Sequence, residues 1–116
     1  MSALQMSAFV ETLHDVFAEF GAINTRRMFG GHGIYRDGLM FGLVQDDVLY
    51  LKADAQNQAS FTEAGLEAFQ YEQKGRRVRL SYFKAPPAIL DSPSEAAVWA
   101  RRSSEAAFRT RPPTRR

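Results

Sequence analysis

Hydrophobic positions along the chain switch between a helical and a strand period. Over residues 8–20, Phe9, Leu13, Val16, Phe17 and Phe20 recur on one helical face, while Glu11, Asp15 and Glu19 fall off it. Ser7 suits the N-cap of this helix, and Gly21 fits the left-handed position just past its end. From Arg26 to Lys52 the pattern becomes strand-like. Met28-Phe29 leads into Gly30-Gly31, and Ile34-Tyr35 is followed by Asp37-Gly38. Asp-Gly is a strong hairpin signal, because a type I′ turn needs positive φ at both central residues. Leu39–Val44 then runs to Gln45-Asp46-Asp47, and Val48–Lys52 follows. This predicts a three-stranded antiparallel meander, with the poorly alternating Asn24–Met28 as an edge or the entry to a strand.

Asp54 can cap a short helix over 55–64, stopped by Gly65. Leu66 and Phe69 in the following connector are expected to plug the core. Gln70–Phe83 predicts a second hairpin turning at Lys74-Gly75, with Val78, Leu80 and Tyr82 on one face and Arg77, Arg79 and Ser81 on the other. Pro86-Pro87 ends that strand, since proline cannot donate to a ladder. Ser92-Pro93-Ser94-Glu95 is a capping signature with Glu95 reaching back, and it starts a helix from Pro93 to Phe108. That helix has a small-residue face, with Trp99 as its one large anchor.

The elements together predict one α+β domain over residues 1–108, in the order α-β-β-β-α-β-β-α. An antiparallel sheet of about five strands is covered on its apolar face by the first and last helices. The expected core is Phe9, Leu13, Phe17, Met28, Ile34, Phe41, Leu43, Leu49, Leu51, Leu80 and Trp99, with Phe41 and Leu43 sharing a side by strand alternation.

Charge changes the picture at the C-terminus. The net charge is +2, but residues 101–116 hold six arginines and one acid, while residues 1–100 are net negative by three. Residues 109–116, with Arg109, Arg111, Pro112-Pro113, Arg115 and Arg116, are expected to form a disordered basic tail. A mildly acidic body argues against sequence-specific nucleic-acid binding, leaving weak, salt-sensitive phosphate contacts from the tail. The chain has no cysteine, which excludes thiolate catalysis and zinc–thiolate sites and agrees with a cytoplasmic location. No apolar run reaches the length of a membrane span, and the N-terminus lacks the basic region of a signal peptide.

Candidate chemistry is sparse. His14 and His32 are too few and too far apart to suggest a metal cluster, and no serine sits in a nucleophile elbow. Asp46-Asp47 falls at a turn, where aspartate is common for conformational reasons. Gly30, Gly31 and Gly33 carry two readings. One is a bend or bulge in the sheet, where glycine allows close backbone approach. The other is an anion-binding loop in which Arg26, Arg27 and His32 join these glycines, although the lysine and following helix of a phosphate loop are missing. Lys74, Arg76, Arg77 and Arg79 form the densest basic patch of the folded part, either a solvated sheet face or a contact surface.

Arg27-Met28-Phe29-Gly30-Gly31, Ile34-Tyr35, Gly38, Met40-Phe41 and Leu49-Tyr50-Leu51-Lys52 resemble the N-terminal domain of the TfoX/Sxy family of competence regulators. Phe69, Tyr71, the Lys74–Arg76 turn, Ser81-Tyr82 and Pro86 extend the likeness to about residue 108. The resemblance implies a secretion-chaperone-like α/β sandwich. It also implies a role in bacterial transcriptional control of DNA uptake, with a cAMP-receptor-type activator as a protein partner. Full-length members are expected to carry a second, helical domain where this chain has its arginine tail, so a stand-alone N-terminal domain is expected here. The resemblance supplies no catalytic residues and no cofactor. The leading expectation is therefore a non-enzymatic adaptor working by protein–protein contact as a homodimer, joined through a sheet edge or the last helix. The alternative is a small-molecule binder or enzyme centred on the Gly30–Gly33 loop.

Overall fold

The computed structural model describes residues 8–28 and 30–112. Its elements are α1 (Ala8–Val16), β1 (Asn24–Met28), β2 (Gly31–Arg36), β3 (Leu39–Gln45), β4 (Val48–Lys52), α2 (Gln58–Glu63), β5 (Ala68–Gln73), β6 (Arg76–Lys84), a 3-10 turn (Pro87–Asp91) and α3 (Pro93–Arg109). The six strands form one antiparallel sheet in the order β1-β2-β3-β4-β6-β5. The expected α+β architecture is therefore present with six strands rather than five. The added strand is β1, whose alternation is poor because it lies at the sheet edge and buries little. Its five residues nevertheless pair in register with β2, from Asn24 opposite Tyr35 to Met28 opposite Gly31.

Local sequence accounts for most of the turns. Asp37 and Gly38 have φ of 52° and 81°, as a two-residue type I′ connection requires. Asp46-Asp47 and Lys74-Gly75 also have positive φ at both residues. The paired aspartates are thus turn residues, since aspartate tolerates the left-handed region better than most side chains.

One face of the sheet is covered by α1, α3 and the 3-10 turn. Ile34, Phe41, Val44, Leu49, Leu51 and Phe83 point into that layer, where they meet Leu13 and Phe17 of the first helical segment and Ala96, Ala97 and Ala100 of α3. The small face of α3 lets the helix come close to the sheet, and Trp99 stays half-buried, 5.1 Å from the Phe61 ring. Phe61 of α2 also stacks on Phe83 at 5.3 Å, which makes this short helix a plug. The core also includes fully buried Ile89, which the proline-rich stretch gave no reason to expect. Phe9 is only half-buried at the margin of the core.

Several boundaries differ from expectation. The regular part of α1 ends at Val16, and 17–20 continue as turns held by Phe17 N–H to Leu13 O and Gly21 N–H to Phe17 O, both 3.0 Å. Ser92 caps α3 as expected, its Oγ accepting from Glu95 N–H at 3.3 Å. The Ser92 N–H donates to Ile89 O at 3.2 Å, so the expected return bond from Glu95 is replaced. Asp54 closes the turn before α2 by accepting from the N–H groups of Gln56 and Asn57 at 3.0 and 3.2 Å. Asn57 Oδ1 returns the bond to Asp54 N–H at 2.7 Å. Arg109, grouped with the tail on sequence, is the last residue of α3 and grips Asp54 through Nε and Nη2 at 2.6 and 3.0 Å. Residues 113–116 of the expected tail, and Ser7, lie outside the described residues.

A bulge corrects one expectation about the core. Ile34 pairs with Gly42 and Tyr35 with Met40, which leaves Phe41 as an extra residue on β3. The shift turns Phe41 towards the helices, where its ring lies 5.4 Å from Phe17 and 5.1 Å from Phe20. Leu43 is buried too, but on the opposite face. Simple alternation would have put the two on one side.

Candidate functional site

Among the described residues no helix covers the second face of the sheet, and it is also rich in apolar residues. Strand parity fixes its membership. On β6, Tyr82 is opposite Lys52 and Lys84 is opposite Tyr50, so Arg76, Val78, Leu80, Tyr82 and Lys84 project to this side. Leu43 is opposite Gly33 and Tyr50, and Met40 is opposite Tyr35. Leu80 and Met28, expected in the helix-side core, therefore belong to the open face and are only half-buried. Phe69, expected as a core plug, lies there as well, its ring 4.9 Å from Tyr50 and 6.0 Å from Tyr71.

These side chains bound a groove of about 670 Å³ between β1–β3 and the β5–β6 hairpin. Met28, Met40 and Leu43 form one side, and Phe69, Tyr71 and Leu80 form the other. His32, Val44, Gln45, Asp46, Gln70 and Gln73 complete the lining. The volume is within the roughly 300–1,000 Å³ range of ligand sites. Glycine shapes the floor. A Cβ on Gly33 would come within 2.8 Å of the Met40 sulfur, 2.9 Å of the Met28 sulfur and 2.9 Å of a Tyr35 ring carbon. Bare backbone at Gly33 is thus what lets both thioethers and the tyrosine settle over the strand.

Tyr82 donates its hydroxyl to Met40 O at 3.2 Å. Burial pushes its pKa up to about 12, with Tyr35 adding to the rise. Tyr50 is also raised, first by burial and then by Asp46 and Glu67. Lys52 lies over the Tyr82 ring at 5.1 Å, and Arg26 over the Tyr35 ring at 5.7 Å. Burial lowers the Lys52 pKa, against the pull of Asp54.

The residues singled out on sequence separate across this geometry. Arg26 is opposite Gly33 and belongs to the open face, while Arg27 is opposite His32 and belongs to the other. Successive strand residues alternate faces, so the two arginines do not converge on the glycines. Gly30 has a φ of 80° in the β1–β2 turn. A Cβ on Gly31 would run into the Val44 carbonyl oxygen. These positions give the glycine cluster a structural purpose. His32, opposite Arg27 and Val44, belongs by register to the helix-side face although it borders the groove, and among the described residues its buried Nε2 has no hydrogen-bond partner. In the basic patch, Arg76 joins the open face, Arg77 and Arg79 take the other, and Lys74 occupies the turn. All four are exposed.

Sequence reasoning passed over Met40, Phe69 and Tyr71 as site residues. The signal was present in the strands: apolar residues occupy both parities of β3, not one. Among the described residues, no group of three or more His, Cys, Asp or Glu is placed to hold a metal ion. Among the same residues, no helix is long and apolar enough to cross a membrane.

The family model of the TfoX N-terminal domain matches residues 15–107. The DNA transformation protein TfoX1 of Aliivibrio fischeri is 32% identical over 100 residues, an alignment that covers 80% of this chain and 48% of that protein. The chain thus spans about half the length of the curated relative it matches.

Proposed function

The chain belongs to the TfoX N-terminal domain family, and from that premise we propose that it is a non-enzymatic regulatory module in the control of DNA uptake, acting by protein–protein contact. The observation that carries the proposal is the apolar sheet face that, among the described residues, no helix covers. A domain of this size rarely leaves a contiguous methionine and aromatic surface open unless something docks there. The name of the relative, a DNA transformation protein, supports the pathway. A partner in the transcription machinery fits the family resemblance. Self-association through the edge strands β1 or β5, or through α3, is part of the same reading, and sedimentation velocity at micromolar concentration tests it.

The test of the pathway is genetic. Deleting the gene from a naturally transformable host should lower transformation frequency and DNA-uptake transcripts together, and the full chain should restore both. Unchanged transformation in the deletion strain would falsify the reading. Separation of Arg26 and Arg27 onto two faces weighs against the alternative of an anion site at the Gly30–Gly33 loop. Thermal shift with nucleotides and phosphorylated metabolites tests that alternative directly. Stabilisation abolished in Arg27→Ala would favour it.

A further inference from the structure

We propose that the open face is a docking groove for an acidic protein segment with apolar anchors, an inference that rests on the adaptor reading and names its partner's chemistry. The centre of the face is soft and apolar: Met28, Met40, Leu43 and Leu80 with Phe69 and Tyr71. Methionine adapts its shape to varied apolar side chains, which suits a groove that receives a peptide. Around this centre stand Arg26, Lys52, Arg76 and Lys84, all assigned to the same face by register. Among the described residues none of the four is in an ion pair. Among the described residues Asp46 is the single acid lining the groove. An apolar floor inside a cationic rim is complementary to a segment that presents apolar side chains on one side and carboxylates beside them.

Two other occupants fit less well. A second copy docked face to face would bring a second cationic rim against this one, with few carboxylates on either face to offset it. A single-stranded nucleic acid would use the charge, but base stacking needs free aromatic faces. Here Tyr35 lies under Arg26, Tyr82 lies under Lys52, Tyr50 meets the Phe69 ring at 70°, and exposed Tyr71 leans on the same ring at 32°, which leaves one aromatic surface rather than a row of them. The groove floor between them is thioether and leucine, which offer no π-face to a base.

The test is a selection of random displayed peptides on the full chain, followed by methyl spectra of the four methionines. Selected peptides should be enriched in Asp and Glu with interspersed Leu, Phe or Met. The best of them should shift the Met28 and Met40 methyl signals. The double reversal Arg76→Glu, Lys84→Glu changes only exposed positions and should weaken binding about tenfold or more. Binding should also weaken with added salt. Enrichment of basic or uncharged peptides, no enrichment at all, or unmoved Met28 and Met40 signals would overturn the inference. Tighter binding of an oligothymidylate probe than of any selected peptide would overturn it in favour of nucleic acid. The outcome is independent of the transformation assay. Acidic peptides could bind while the deletion strain transforms normally, in which case the pathway reading fails alone. If the deletion strain loses transformation and no acidic peptide binds, the groove assignment fails alone.

Discussion

The two faces of the sheet are made by the same strands, yet they are built from different side chains. The covered face presents Ile34, Phe41, Val44, Leu49, Leu51 and Phe83, all buried and all aliphatic or phenyl. The open face presents Met28, Tyr35, Met40, Tyr50 and Leu80, which are half-exposed, with lysine and arginine at the margin. Branched and aromatic apolar residues fill a fixed interior at near-crystalline density. Methionine and tyrosine tolerate water at one end and apolar contact at the other. The difference teaches that apolar content alone does not locate a core. The stiffness of the side chains and the presence of a covering helix do.

Truncation on each face should separate them most clearly. Phe41→Ala removes a fully buried ring that touches Phe17 and Phe20, and it should cost about 4 kcal/mol. Leu80→Ala on the open face should cost about 1 kcal/mol. Urea unfolding of the two variants measures both. Equal losses would mean that the open face is covered in solution, for example by self-association.

The glycines sharpen the comparison next. Gly31→Ala drives its Cβ into the Val44 carbonyl, a backbone atom of the neighbouring strand that cannot step aside. We expect a loss of about 3 kcal/mol and weakened exchange protection at the β2–β3 pairing. Gly33→Ala meets only the ends of Met28, Met40 and Tyr35 side chains, which can move. It should cost about 1 kcal/mol and displace the two methionine methyl signals. A larger penalty for Gly33→Ala than for Gly31→Ala would show that the methionine cluster is as rigid as the core.

Tyr82→Phe is a smaller probe of the open face. It removes the hydroxyl donated to Met40 O, at a cost of about 1 kcal/mol. It also changes the alkaline limb. Because the folded pKa of Tyr82 is raised to about 12, the protonated phenol stabilises the fold below the unfolded value near 10. That contribution is lost as pH rises from there through 12. Unfolding curves between pH 9 and 12 should therefore fall less steeply for Tyr82→Phe than for the parent.

The smallest expected effect lies away from both faces, at the Arg109–Asp54 pair. The Arg109 hydrogen bonds come first among the causes that hold Asp54 at about 2, with the Gln56 and Asn57 N–H groups adding to them against burial. A depressed carboxylate stabilises the fold above its unfolded pKa near 3.9, and the contribution fades as pH falls through 2. Arg109→Ala should raise the Asp54 pKa and flatten the dependence of stability on pH between 4 and 2. A carboxyl titration followed by NMR would detect this, and an Asp54 pKa unmoved by the substitution would assign its depression to the backbone N–H groups alone.

Much of the molecule was legible in the residue pattern. Helical spacing located α1 and α3, Asp37-Gly38 and Lys74-Gly75 located their turns, and Ser92 located its cap. The residue pattern marks β1 only as an edge or a strand entry, because an exposed edge strand has no buried face to enforce alternation. Phe41 was placed correctly in the core, but its neighbour Leu43 was not turned away from it, since a bulge leaves no mark on the polarity pattern. Arg109 looks like tail in the sequence because its partner, Asp54, is 55 residues earlier in the chain.

The sequence by itself determined the order of the helices and hairpins, the antiparallel turns and the family, because these depend on short-range backbone preferences and on motifs a few residues long. Tertiary structure decided which of two apolar faces became the core. Val78, Leu80 and Tyr82 alternate as cleanly as any core strand, and nothing local to that hairpin says on which side the helices will lie. Only the pairing of β6 with β4, and the packing of α1 and α3 over Phe83 rather than Tyr82, settles it. A strand has two faces, and the choice between them is made by elements distant in the chain.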